Sequence, residues 1–262
     1  ELLHYFLSLK QISGYKMKKY LRLFFLFLLN FSQIQYAAAA AAESAEEQGL
    51  IPKTLEDIAA AQCSKFLFKA IEENAIQTVR DILSVPDLIV EKFINLKNLD
   101  IETPLILAAK KGKSDIAGLL LETAAINVNI SDPSGETALV WAVRKKYCTI
   151  AKQLIDTGAN VNVGDRYDNP VIVAASAYGL DCVVHKLIQS GANVNAIDLF
   201  CRDTSLIWAT RKRHAGIVRL ILDAGADVNW ANQHNQTALM VSEIHNYPEI
   251  STILIEAQQA QR

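Results

Sequence analysis

The chain has 262 residues, of which 51% are apolar, and a formal net charge of −2. That apolar share supplies a buried core and excludes a chain that is disordered by composition. The near-neutral balance excludes a protein that holds nucleic acid through a generally basic surface.

The N-terminal part differs from the rest. From Met17 the order is Lys18, Lys19 and Arg22, then the seven apolar residues Leu23 to Leu29, then a polar stretch and six alanines ending at Ala42. A basic region, a short apolar run and a small-residue zone in that order predict a secretory signal peptide over residues 17–42. The apolar run is too short to span a bilayer as a helix. An uncleaved signal acting as a membrane anchor is the alternative, and the only membrane contact expected. Residues 1–16 precede Met17 and are expected to be an over-extended N-terminus without function. Without residues 1–42 the chain keeps 21 basic and 27 acidic residues, a balance of −6. The expected location is the periplasm or outside the cell.

Residues 43–63 read as a polar link and a short capping helix, with Thr54 after Pro52 as its N-cap. Residues 64–98 supply two helices in "FLFKAIEENAIQTVRDIL" and a long loop through Pro86. From there the chain repeats itself. Thr103, Thr137, Pro170, Thr204 and Thr237 stand 34, 33, 34 and 33 residues apart. Two positions later come Leu105, Leu139, Ile172, Leu206 and Leu239, and five positions later Ala108, Ala142, Ala175, Ala209 and Ser242. Thirteen positions after each opening residue stand Ile116, Ile150, Val183, Ile217 and Ile250, followed by paired aliphatic residues such as Leu154-Ile155 and Leu187-Ile188.

The columns have a physical reading. Threonine caps a first helix, and Pro104 sits at its first position, where no N–H is needed. Small residues let neighbouring units approach, and the aliphatic pairs of a second helix fill the space between them. Gly158, Gly191 and Gly225 end second helices in the left-handed cap. The Asn/Asp-Val-Asn that follows begins a hairpin, with valine inward and asparagine bonding turn backbone. Repeats two and five each carry one extra residue, near Ile126 and within 197–203.

This pattern resembles the ankyrin repeat, on "TPLILAA" at 103–109 and "LIDTGANVN" at 154–162. The histidine of the family signature is replaced throughout by Ile106, Val140, Val173, Ile207 and Met240. The resemblance implies an all-α repeat fold, a solenoid of helix-turn-helix units joined by short β-hairpin loops. Six repeats are expected over 64–98, 99–130, 131–163, 164–196, 197–230 and 231–258, then a tail at 259–262. It also implies protein binding through the concave face and hairpin tips.

No catalytic constellation emerges. "GKS" at 112–114 lacks the earlier glycine of a phosphate-binding loop, because Leu107 stands there. The five histidines are scattered and read as solvated, with no metal-ligand spacing. No enzyme activity, metal or cofactor is expected. Cys63, Cys148, Cys182 and Cys201 read as small buried apolar residues. Cys148 and Cys182 start adjacent second helices, but stacked helices lie about 8–10 Å apart, beyond the roughly 7 Å Cα limit of a bridge. All four are expected unpaired.

Two sets of residues are candidates for partner binding. Lys110, Lys111, Arg144, Lys145, Tyr178, Arg211 and Lys212 close the first helices. With Lys113, Lys146 and Arg213 they gather nine of the 26 basic residues at one level of the stack. Lys146 and Arg213 stand where repeats two and four have Gly112 and Gly179, a position expected to be left-handed. The second set is Tyr167, Leu199 and Phe200, apolar groups on hairpin tips. The expected function is a monomeric, non-enzymatic scaffold for an unknown protein, which the basic level would suit if its surface is acidic. An enzyme-protecting, chaperone-like periplasmic factor and a binder of anionic ligands are the alternatives.

Overall fold

Residues 55–85 and 87–261 are described by a computed structural model of the chain. The expected signal segment 17–42, residues 1–16, the link up to Thr54 and Arg262 lie outside the described residues. Helix α1 runs Leu55–Glu72 without a break. The short capping helix and the first helix of repeat one, read as separate, are thus one element. Alanine-rich sequence with no glycine or proline between residues 55 and 72 gives the helix no place to stop. Helix α2 (Ile76–Leu83) follows, and α3 (Asp87–Phe93) occupies the expected long loop. Its Val90 and Phe93 are fully buried, so a three-residue spacing inside only seven residues forms a helix that anchors the segment.

The later units each contribute two helices: α4 (Pro104–Lys111) and α5 (Ser114–Leu121), α6 (Ala138–Arg144) and α7 (Cys148–Asp156), α8 (Val171–Ala177) and α9 (Asp181–Gln189), α10 (Ser205–Arg211) and α11 (Ala215–Asp223), α12 (Ala238–Ile244) and α13 (Pro248–Ala260). Thr103, Thr137, Thr204 and Thr237 are extended, and each hydroxyl accepts the N–H of the third residue onward: Ile106, Val140, Ile207 and Met240. Between first and second helices the backbone turns left-handed at Asn74, Gly112, Lys146, Gly179, Arg213 and Asn246, with φ from 56° to 73°. The hairpins close through single antiparallel bridges, Ser131 with Thr137, Gly164 with Pro170 and Ile197 with Thr204. The extra residue of repeat five falls inside the last of these.

First helices pack on first helices from α4 through α12, and second helices on second helices from α5 through α13. The sequence columns are the seam. Ala108, Ala142, Ala175, Ala209 and Ser242 are all buried, as are Ile116, Ile150, Val183, Ile217 and Ile250. Leu120, Leu154, Leu187, Ile221 and Leu254 lie beside them, also buried. The residues that replace the signature histidine are buried in repeats two to five, and only Met240, in the last unit, is exposed.

Asparagine does more than hold its own turn. The N–H of Asn127 donates to Asn95 Oδ1, that of Asn129 to Asn127 Oδ1, and that of Asn160 to Asn129 Oδ1. The same steps continue through Asn162, Asn193, Asn195, Asp227 and Asn229. Gln258 Nε2 ends the ladder on Asn229 Oδ1 at 2.7 Å. Alternate rungs are local and inter-repeat, so the Asn-Val-Asn triplet ties each unit to the next. Each bond is worth about 0.5–1.5 kcal/mol net.

Candidate functional site

The hairpin tips are organised by one acidic or amide residue at a fixed place. Asp132 Oδ1 accepts the N–H groups of Ser134 and Glu136, and its Oδ2 accepts the indole N–H of Trp141 at 2.8 Å. Asp198 repeats this in unit five, taking Phe200, Cys201 and Asp203 N–H and the Trp208 indole at 2.8 Å. Asp165 and Asn232 serve units four and six without a tryptophan.

A second carboxylate precedes three of the capping threonines and meets the basic residue eight positions on. Glu102 pairs with Lys110, Glu136 with Arg144, and Asp203 with Arg211 at 2.8 Å. All three carboxylates are buried. Glu136 is held by both Arg144 terminal nitrogens, and it also accepts the backbone N–H of Arg166 at 3.2 Å. Repeats four and six have Asn169 with Ala177 and Gln236 with Ile244, so acid and base occur together or not at all. Lys110, Arg144 and Arg211 are therefore internal counter-charges, and the basic level loses three of the cations read from the sequence as free for a partner. The eight-residue coincidence of acid and base was the available signal.

The other cations are exposed at Lys111, Lys145, Lys146, Lys212 and Arg213, and no carboxylate among the described residues pairs with them. Four lie over aromatic rings instead. Lys145 Nζ is 6.0 Å from the Trp141 centroid, Lys146 5.2 Å from Tyr178, Lys212 5.7 Å from Trp208, and the Arg213 guanidinium 5.6 Å from Tyr247. Lys146 and Arg213 share φ 62°, a conformation unfavourable for a residue with a Cβ. Their ring contacts return about 0.5–1 kcal/mol, so glycine there would remove strain and contact together. At Gly112 the space a Cβ would need is filled by the Tyr147 ring of the next unit, and at Gly179 by the His214 ring. His214 is thus a packing residue, half-buried rather than solvated. At this one position units two to five alternate between glycine and a basic residue, and units three and five resemble each other there.

At the hairpin tips Tyr167 and Phe200 meet edge to face with centroids 6.0 Å apart. Their contact does not bury them, since Tyr167 stays 55% and Phe200 64% exposed, with Leu199 at 62%. The extra residue between Ile197 and Thr204 lets Asp198 bind two successive N–H groups, and the widened turn carries Leu199 and Phe200 outward.

All four cysteines are free, as expected, but none is fully buried. Cys182 is exposed, and its thiol neighbours that of Cys148 across α7 and α9. The two positions are offset by one residue within their units, Cys148 eleven after Thr137 and Cys182 twelve after Pro170, and their side chains come together. Burial, and secondarily the Cys182 thiol, hold the Cys148 thiol above its ordinary value. Burial pushes Cys63 up to about 11.

Comparison with known proteins matches this geometry. The family model for ankyrin repeats (three copies) covers residues 64–165 and 171–261. The chain belongs to the ankyrin repeat family. A crystal structure of an ankyrin repeat domain from Acinetobacter baumannii AYE is 27% identical, covering 73% of this chain and 97% of that one with a TM-score of 0.66. No curated protein matches the chain. Ankyrin repeats are in general non-enzymatic modules of protein–protein interaction.

Proposed function

We propose that this ankyrin repeat chain is a monomeric, exported scaffold, without chemistry of its own, that binds another protein through the hairpin tips of repeats four and five. The observation that carries the reading is the Tyr167–Phe200 pair, two large rings in mutual contact and yet more than half exposed. Rigid aromatic side chains bury much area at small entropic cost, which is why they anchor interfaces. Tyr167→Ser with Phe200→Ser, in a chain whose unfolding is unchanged, is expected to lose a partner that the parent retains in affinity capture from the native cell. Identical sets of captured proteins would overturn the reading.

Export rests on the order of charge, apolar run and alanines from Met17 to Ala42. Mass spectrometry of the protein isolated from its own cells is expected to find the mature N-terminus within or directly after Ala37–Ala42. Recovery of an intact Met17–Ala42 segment on protein from the soluble cytosolic fraction would refute it.

A further inference from the structure

The doubled cations of units three and five give the cationic face a spacing as well as a sign. Lys145-Lys146 and Lys212-Arg213 are equivalent pairs, 67 positions apart in sequence and two units apart in the stack. In each pair both cations stand over rings, which orients them while leaving their charge unneutralised. The intervening unit contributes Tyr178, 39% exposed, in the column that holds Lys145 and Lys212 in its neighbours. First helices of successive units pack side by side. At about 8–10 Å per helix contact, the two cationic pairs lie roughly 16–20 Å apart. An extended chain advances about 3.3–3.6 Å per residue, so roughly five to six residues cover that distance.

We propose that Lys145, Lys146, Tyr178, Lys212 and Arg213 form a docking face for an extended acidic segment of another protein, with two carboxylate clusters about five to six residues apart and an apolar residue between them. The inference rests on the protein-binding reading above and names the chemistry of the partner. Charge complementarity selects an acidic occupant. The doubled charge of units three and five selects the spacing, because a segment with only one cluster, or with clusters too close, cannot engage both pairs at once, and Lys111 of unit two offers a closer cluster a single cation only. Lys110, Arg144 and Arg211 stay out of the face because buried carboxylates already hold them.

The test uses the full chain and fluorescent peptides carrying two Glu-Glu clusters around a central Phe, in Gly-Ser sequence, with cluster spacings of about two, six and ten residues. Fluorescence anisotropy is expected to give a Kd about tenfold lower for the six-residue spacing than for either other. Lys145→Gln with Lys146→Gln, or Lys212→Gln with Arg213→Gln, is expected to abolish the preference while the variant still unfolds in one cooperative transition. Equal affinity at all three spacings, or an unchanged preference in both variants, would overturn the proposal. So would tighter binding of a single-stranded oligonucleotide of matched length than of the six-spaced peptide. Loss of the spacing preference alongside capture that still depends on Tyr167 and Phe200 removes this inference and leaves the scaffold reading standing. Absence of that capture alongside spaced-peptide binding removes the hairpin-tip assignment instead.

Discussion

Arg144→Ala is expected to lower the stability of the stack by about 1.5–3 kcal/mol, the range for losing hydrogen bonds to a charged group. Lys145→Ala, one residue away, is expected to change it by no more than about 0.5 kcal/mol. The two residues are both basic, both at the end of α6, and differ only in what they touch. Arg144 meets a Glu136 carboxylate that has no solvent exposure, through both terminal nitrogens. Removing it leaves that carboxylate with Arg166, whose backbone N–H and Nε lie at 3.2 and 3.5 Å. Lys145 faces water, with only a ring at 6.0 Å. Urea unfolding of the two variants beside the parent measures the contrast, and equal small effects would show that Glu136 is better solvated than the geometry implies. A practical consequence follows for binding studies. Charge reversal at Arg144 or Arg211 sets two like charges together in the stack interior, so a binding loss there reports unfolding. Lys145 and Lys212 carry the interpretable signal.

Much of this was legible in the amino-acid order, for a physical reason. A repeat protein writes each structural requirement several times, so Thr137, Ala142, Ile150 and Leu154 are each confirmed by their counterparts one period away. Where a feature occurs once, the support vanishes. Helix α3 is a single seven-residue element after Pro86, too short to display a period, and it reads as loop. The continuity of α1 was hidden by Thr54 and Pro52, which suggest a helix start but say nothing of where that helix stops. The asparagines read as turn residues, and their second role needs the next unit in space. Asn129 Oδ1 receives an N–H from a residue 31 positions on. The basic level hides a different distinction. Lys110, Arg144 and Arg211 share sign and helix position with the free cations, and only the recurrence of Glu102, Glu136 and Asp203 in the same units sets them apart.

Leu187→Ala, in the middle of the stack, is expected to cost about 2–5 kcal/mol through lost burial and the cavity left behind. Leu187 lies on α9 with no exposed surface, and α9 packs against α7 before it and α11 after it. The truncation therefore falls on a helix shared by two interfaces. In an array stabilised by nearest-neighbour interfaces, weakening a central unit weakens the coupling on both sides. Hydrogen exchange of the variant is accordingly expected to quicken in α7, α9 and α11 together, with smaller changes in α4 and α5. The same truncation at Leu239, in the last unit and only half-buried, has one neighbour to lose and is expected to fray α12 and α13 alone. A loss below about 0.5 kcal/mol for Leu187→Ala would mean that the second-helix column is not the seam of the stack. A large loss with exchange confined to α9 would keep the seam but deny the coupling between units. That coupling is what the docking proposal relies on, since two cationic pairs two units apart act as one ruler only while the intervening unit holds them at a fixed distance.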